Sequence, residues 1–84
     1  MKCTVFLLPS TQRDLNRLEK ATYQRCYEAI LTRGDEPRSR GAQKLVGEDG
    51  YRVGTGDWRI LYRIDDREKK VFMYRVKHRR EVYK

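Results

Sequence analysis

The feature that most constrains this chain is a change of hydrophobic period. Between Leu15 and Leu31 the apolar residues recur at three- and four-residue spacing, whereas across GYRVGTGDWRILYRIDD, Gly50 to Asp66, they largely alternate with polar ones. A period near 3.6 belongs to a helix with one buried face, and a period of two to a half-buried strand. The chain therefore lays down helices first and a sheet second. At 84 residues it falls short of the ~100 to 150 of a usual domain, so both halves must share one core and residues 1–84 read as a single domain.

CTVFLL, Cys3 to Leu8, is a short β-type run that Pro9 ends, because proline cannot donate to a ladder. Thr11-Gln12-Arg13-Asp14 fits a capping box and predicts a helix start there, followed by Leu15 and Leu18 on one face. Thr22 is expected to cap a second helix carrying Tyr23, Cys26, Tyr27, Ile30 and Leu31, with Gly34 placed to end it. Helices joined so closely form an antiparallel hairpin. DEPRSRGAQ, Asp35 to Gln43, lacks periodicity and reads as a loop, and Lys44 to Val46 as a short strand entrance. Strands follow at Tyr51–Thr55, Trp58–Ile64 and Val71–Lys77, with turns at Gly56-Asp57 and Asp65-Asp66-Arg67. The predicted fold is α+β: an N-terminal strand and an antiparallel two-helix hairpin packed on a curved, mainly antiparallel sheet.

Strand parity then assigns faces. Trp58, Ile60, Tyr62 and Ile64 form an apolar row suited to the helices, and Arg59, Leu61 and Arg63 fall on the other side. In the last strand the same rule puts Phe72, Tyr74 and Val76 in one row and Val71, Met73, Arg75 and Lys77 in the other. One face is expected to be core, the other increasingly basic.

That basic bias is uneven along the chain. Residues 1–50 hold nine Lys and Arg against seven Asp and Glu, and residues 51–84 hold eleven against five, so six of the eight net positive charges sit in the strand-rich part. A concentrated positive field suits a polyanion or an acidic protein partner. Cys3 and Cys26 have neither a CxxC spacing nor a neighbouring histidine, which excludes a zinc site and predicts reduced thiols. The apolar run Val5 to Leu8 is too short for a signal peptide or a membrane span, so the expected location is the cytoplasm, away from membranes.

The residues with chemical potential cluster at the end. KHRREVYK, Lys77 to Lys84, places His78 beside Arg79 and Arg80 with Tyr83 close behind. RNA cleavage by its own 2′-hydroxyl needs proton transfer and cations to hold the phosphorane charge, and it needs no metal or other cofactor. Gly54-Thr55-Gly56 lacks the βαβ frame of a dinucleotide site and reads as turn geometry.

Taken together, PSTQRDLNRLEK, EPRSRGAQKLVGEDGYRV, GDWRILYRIDD and VKHRREVYK resemble, in order and spacing, the RelE/ParE superfamily of toxins, and its RelE side in particular. The resemblance covers nearly the whole chain. It implies a metal-independent endoribonuclease that enters the ribosomal A site and cuts mRNA by 2′-hydroxyl attack, and a cognate acidic antitoxin that wraps it. By the same resemblance Arg52, Arg59 and Arg79 would bind and neutralise the scissile phosphate. Tyr83 would orient the cut nucleotide, and His78 or Arg52 would assist proton transfer. Arginine stays protonated to above pH ~12, which favours the imidazole for that task. Lys44, Arg63, Lys77 and Arg80 are the further basic residues expected along the RNA. Gly54 stands where many relatives carry a second cation, and the alternatives are a ParE-like gyrase inhibitor or an attenuated binding module.

Overall fold

The computed structural model describes residues 2–82. In chain order the elements are β1 (Thr4–Leu7), α1 (Pro9–Asn16), α2 (Lys20–Asp35), β2 (Gln43–Lys44), β3 (Tyr51–Thr55), β4 (Trp58–Asp65), β5 (Lys70–His78) and α3 (Arg79–Val82). One five-stranded sheet has the order β1-β5-β4-β3-β2; β1 runs parallel to β5, and every other pair is antiparallel. The α+β architecture is the one expected. Among the described residues no helix is long and apolar enough to cross a membrane.

The helix starts differ from the sequence expectation. Proline ends β1 and opens α1 in the same step, since its fixed φ suits a first turn and its missing N–H would have no partner there. Thr11 and Asp14 are therefore inside α1, and they cap something else. β1 pairs with β5 only as far as Leu7 with Met73, so beyond that point the β5 edge has no strand beside it. Ser10 Oγ donates to Tyr74 O at 2.5 Å, Thr11 Oγ1 to Met73 O at 2.6 Å, and Asp14 Oδ2 accepts the Val76 N–H at 2.8 Å. One helix face thus takes over where the strand stops, giving partners to Tyr74 O and the Val76 N–H, which would be costly to leave bare, and adding a second donor to Met73 O, which already accepts the Leu8 N–H at 3.0 Å.

Helix α2 begins at Lys20 with Glu19 as its N-cap, not at Thr22, whose hydroxyl instead donates to Glu19 Oε1 at 3.2 Å. Nor does Gly34 end it. The helix runs on to Asp35, and a Cβ on Gly34 would stand 2.7 Å from Val5 Cγ2, so this glycine permits α2 to cross β1 closely. Cys3 N–H donates to Gly34 O at 2.7 Å across the same contact.

The core lies between the helices and one sheet face. Leu15, Cys26 and Ile30 meet Val53, Ile60, Tyr62, Val71, Met73 and Val76, with Trp58 and Ile64 packed at its margin. The β4 row is thus as expected, while the β5 row is not. Leu61 pairs with Arg75 but Tyr62 with Met73, so Tyr74 is an extra residue, a β-bulge. The bulge reverses parity within the strand. Val71 and Met73 join Val76 in the core, and Phe72 pairs with Arg63 on the far side, its ring stacked on Phe6 at 5.4 Å. Full burial of residues such as Ile60 and Met73 contributes roughly 1.5–3 kcal/mol each, enough to set which register wins.

Polar ties hold the 36–42 loop to this frame. The Tyr62 hydroxyl donates to Pro37 O at 2.6 Å in a buried setting. Arg38 forms a bidentate pair with Asp66 at 2.8 and 2.9 Å and donates to the Tyr51 hydroxyl at 3.0 Å. Both cysteines are free thiols, and burial raises the pKa of Cys26.

Candidate nucleic-acid interface

The sheet face away from the helices carries two neighbouring cross-strand rows. Register places Gln43, Arg52, Leu61 and Arg75 in one, and Gly54, Arg59 and Lys77 in the next. A groove of about 580 Å³ opens along them, lined by Lys44, Arg52, Arg75 and Lys77 together with Glu48 and Glu81, and by Leu61 and Tyr74. Four cations against two carboxylates leave it positive. Arg52 is steadied by its neighbour across the ladder, donating from Nε to Gln43 Oε1 at 3.0 Å. Lys44 Nζ donates to Glu48 O at 3.1 Å and lies over the Tyr51 ring at 5.5 Å.

At the end of the groove the Gly56-Asp57 turn gathers two more arginines. Arg59 Nη1 donates to Gly56 O and to Trp58 O, both at 2.9 Å. Arg79 N–H donates to Asp57 O at 2.7 Å, and its Nε lies 3.6 Å from Asp57 Oδ1. A tight turn with Gly56 at φ +59° therefore also orients the cations beside it. Gly54 has a related role, because the guanidinium of Arg59 lies over its backbone, where a Cβ would come within 2.8 Å of Nη1. The missing side chain makes room for an arginine.

Other expected site residues are elsewhere. His78 pairs with Trp58, on the helix-side parity of β5 and not that of Lys77. Its ring meets Trp58 edge-on at 5.3 Å, and its Nδ1 accepts the Arg80 N–H at 3.2 Å. Arg63 is farther along β4, its guanidinium over the Tyr74 ring at 5.3 Å. Arg80 is exposed in α3, and Tyr83 lies outside the described residues. The structure thus brings Lys44, Arg52 and Lys77 to one groove with Arg59 and Arg79 at its end, and leaves His78 on the opposite face.

Arg75 is the groove residue that sequence reasoning left out. Parity already grouped it with Lys77, yet its partner Asp14 is 61 positions away in sequence. Hydrogen bonding to that carboxylate raises the Arg75 pKa. Burial raises the pKa of Tyr74, reinforced by the charge of Glu48. Among the described residues no group of His, Cys, Asp and Glu could hold a metal ion. What the face offers is a set of oriented cations, the groups that pair with anions.

A helix pair on one side of a five-stranded sheet, with a basic groove on the other, places the chain among small single-domain α+β proteins. The family model for the ParE toxin of type II toxin-antitoxin systems matches residues 5–83, and the chain belongs to that family, within the RelE/ParE superfamily. It is 34% identical over 90 aligned positions to toxin RelG of Mycobacterium tuberculosis, spanning all of this chain and 99% of RelG. Its fold matches a chain of the toxin-antitoxin complex RelBE2 from Mycobacterium tuberculosis with a TM-score of 0.85 at 30% identity, covering 94% of this chain and 100% of that one. The archaeal RelE-RelB complex from Pyrococcus horikoshii gives 0.79 at 27% identity, over 94% and 97% of the two chains. The protein is a toxin of a type II toxin-antitoxin system.

Proposed function

We propose that this toxin is a ribosome-dependent endoribonuclease that cuts mRNA in the ribosomal A site. The observation that carries the reading is the juxtaposition of Arg52 and Lys77 in one groove with Arg59 beside them. The 2′-oxygen attacks the adjacent phosphorus and the 5′-oxygen departs, leaving a 2′,3′-cyclic phosphate. One proton leaves the 2′-hydroxyl and one reaches the 5′-oxygen. Charge builds on the phosphorane between these events, and oriented guanidinium and ammonium groups stabilise it, each such donor contributing on the order of a hundredfold in rate. The ribosome supplies the alignment of the reacting atoms, so the protein needs few groups of its own.

The natural partners are mRNA, the ribosome and an acidic antitoxin complementary to a chain of net charge +8, all in the cytoplasm. Induction of the protein alone is expected to halt translation, with cuts inside codons of translated messages. Arg59→Ala is expected to abolish them. Continued translation, or equal activity of Arg59→Ala, counts against the mechanism.

A second reading is inhibition of DNA gyrase. It is favoured by the ParE family model and by the position of His78, which removes a proton-transfer group from the basic face. Stalled gyrase cleavage complexes and an SOS response after induction, with intact mRNA, would select it.

A further inference from the structure

Arg75 stands opposite Leu61 on β5, in the same cross-strand row as Arg52, and lines the groove. Its side chain is held from behind. Asp14, only 10% exposed, accepts Arg75 Nε at 2.8 Å and Nη2 at 3.3 Å, and the same Oδ2 accepts the Val76 N–H. Asp14 is itself fixed by the face of α1 whose Ser10 and Thr11 bond the β5 edge. A guanidinium has five N–H donors in a rigid fork, and this side-on contact engages two of them. The Arg75 side chain is 40% exposed, and the residue lines the groove as well as two smaller hollows beside α1, so part of the fork is open to solvent. Such an arginine has little freedom left to lose on binding, which is the condition for a preorganised phosphate donor.

We propose that Arg75 binds a backbone phosphate of RNA in the groove, with Asp14 as its positioning residue. β5 then adds a phosphate donor to the row of Arg52, beside the row in which β3 has Gly54. The Asp14 carboxylate cancels much of the long-range field of Arg75, so the pair contributes direction rather than net charge. This inference rests on the RNA reading above.

The test uses the full-length protein and a fluorescein-labelled single-stranded RNA decamer with 2′-O-methyl groups, which cannot be cleaved. Affinity is measured against salt, because each phosphate contact with a single strand adds about 0.7 to the slope of log K on log salt. Arg75→Gln is expected to weaken binding five- to twentyfold and to lower that slope by about 0.7. Arg75→Lys should keep the slope, since it keeps the charge. Asp14→Asn is the sharper variant: removing a negative charge tightens RNA binding if charge alone matters, and weakens it if Asp14 aims Arg75. The double variant Asp14→Asn, Arg75→Gln leaves no unpaired buried carboxylate and, checked for folding by circular dichroism, should match Arg75→Gln. Unchanged affinity and slope in folded Arg75→Gln, with Arg52→Gln still weakened, overturn the role of Arg75 and leave the RNA reading standing. Tighter binding by Asp14→Asn overturns the positioning role. Absence of RNA affinity in the wild type at low salt overturns both.

Discussion

Gly54 and Arg59 face each other across the β3–β4 ladder, and the arginine folds its guanidinium over the glycine's backbone, with Nη1 2.8 Å from the place of a Cβ. The contact is with the far end of a flexible side chain. A residue added at 54 therefore moves Arg59 before it disturbs the sheet.

Gly54→Ala accordingly separates activity from stability. Thermal unfolding should stay the same or rise slightly, since alanine is favoured over glycine in an element interior by roughly 0.5–1 kcal/mol. Cleavage in a translation extract should fall about tenfold or more as Arg59 leaves its place among the phosphate donors. Equal activity in the two proteins would show that the placement of Arg59 over Gly54 is incidental.

At Gly34 the opposite outcome is expected. An alanine there gains helix propensity of about 1 kcal/mol but puts its methyl against Val5 Cγ2, with overpacking that costs about 1–3 kcal/mol. Urea unfolding should show a net loss of stability. A midpoint at or above that of the wild type would mean that α2 and β1 can separate freely.

His78 is expected to be dispensable for chemistry. A general acid or base contributes about a hundredfold or more, whereas this imidazole stands against Trp58 on the helix-side parity. His78→Gln should retain cleavage within about tenfold of the wild type. A loss as large as that of Arg59→Ala would require the ring to leave Trp58 and act in the groove.

The acid limb of the stability curve should carry a mark of Asp66. The Arg38 guanidinium hydrogen-bonded to it holds its carboxyl below the usual value of 3.8, so the unfolded chain takes up the proton first as pH falls. The stability from this pair is fully present above pH ~4 and is lost as pH drops through the lower folded value. Melting temperatures of wild type and Asp66→Asn should differ by a constant amount near neutrality and converge as pH falls through the lowered folded value. A gap that persists there would show that the residue acts by something other than its charge.

Most of the frame was legible because its determinants are local. The alternation around Gly56-Asp57 set both strands of the hairpin and the inward row of β4, and Pro9 marked the end of β1. Two of the failures share one physical cause, a contact with residues distant in sequence. Thr11 and Asp14 look like a helix cap until the unpaired edge of β5 takes their hydrogen bonds. Gly34 looks like a helix terminus until Val5 is found against it. The candidate site divides in the same way: parity grouped Arg75 with Lys77, but the carboxylate of Asp14 that holds it lies 61 positions away in sequence.

The sequence by itself determined the order of the elements from β1 to β5, though not the short α3 after them, the face that β4 buries and the basic excess of the C-terminal part, because each follows from periodicity and composition within a short window. Tertiary structure alone decided the bulge at Tyr74, the turning outward of Phe72, the separation of His78 from the groove and the Asp14 hold on Arg75. A single extra residue in a strand reverses every side chain beyond it, and which residue is extra depends on what packs on the other side.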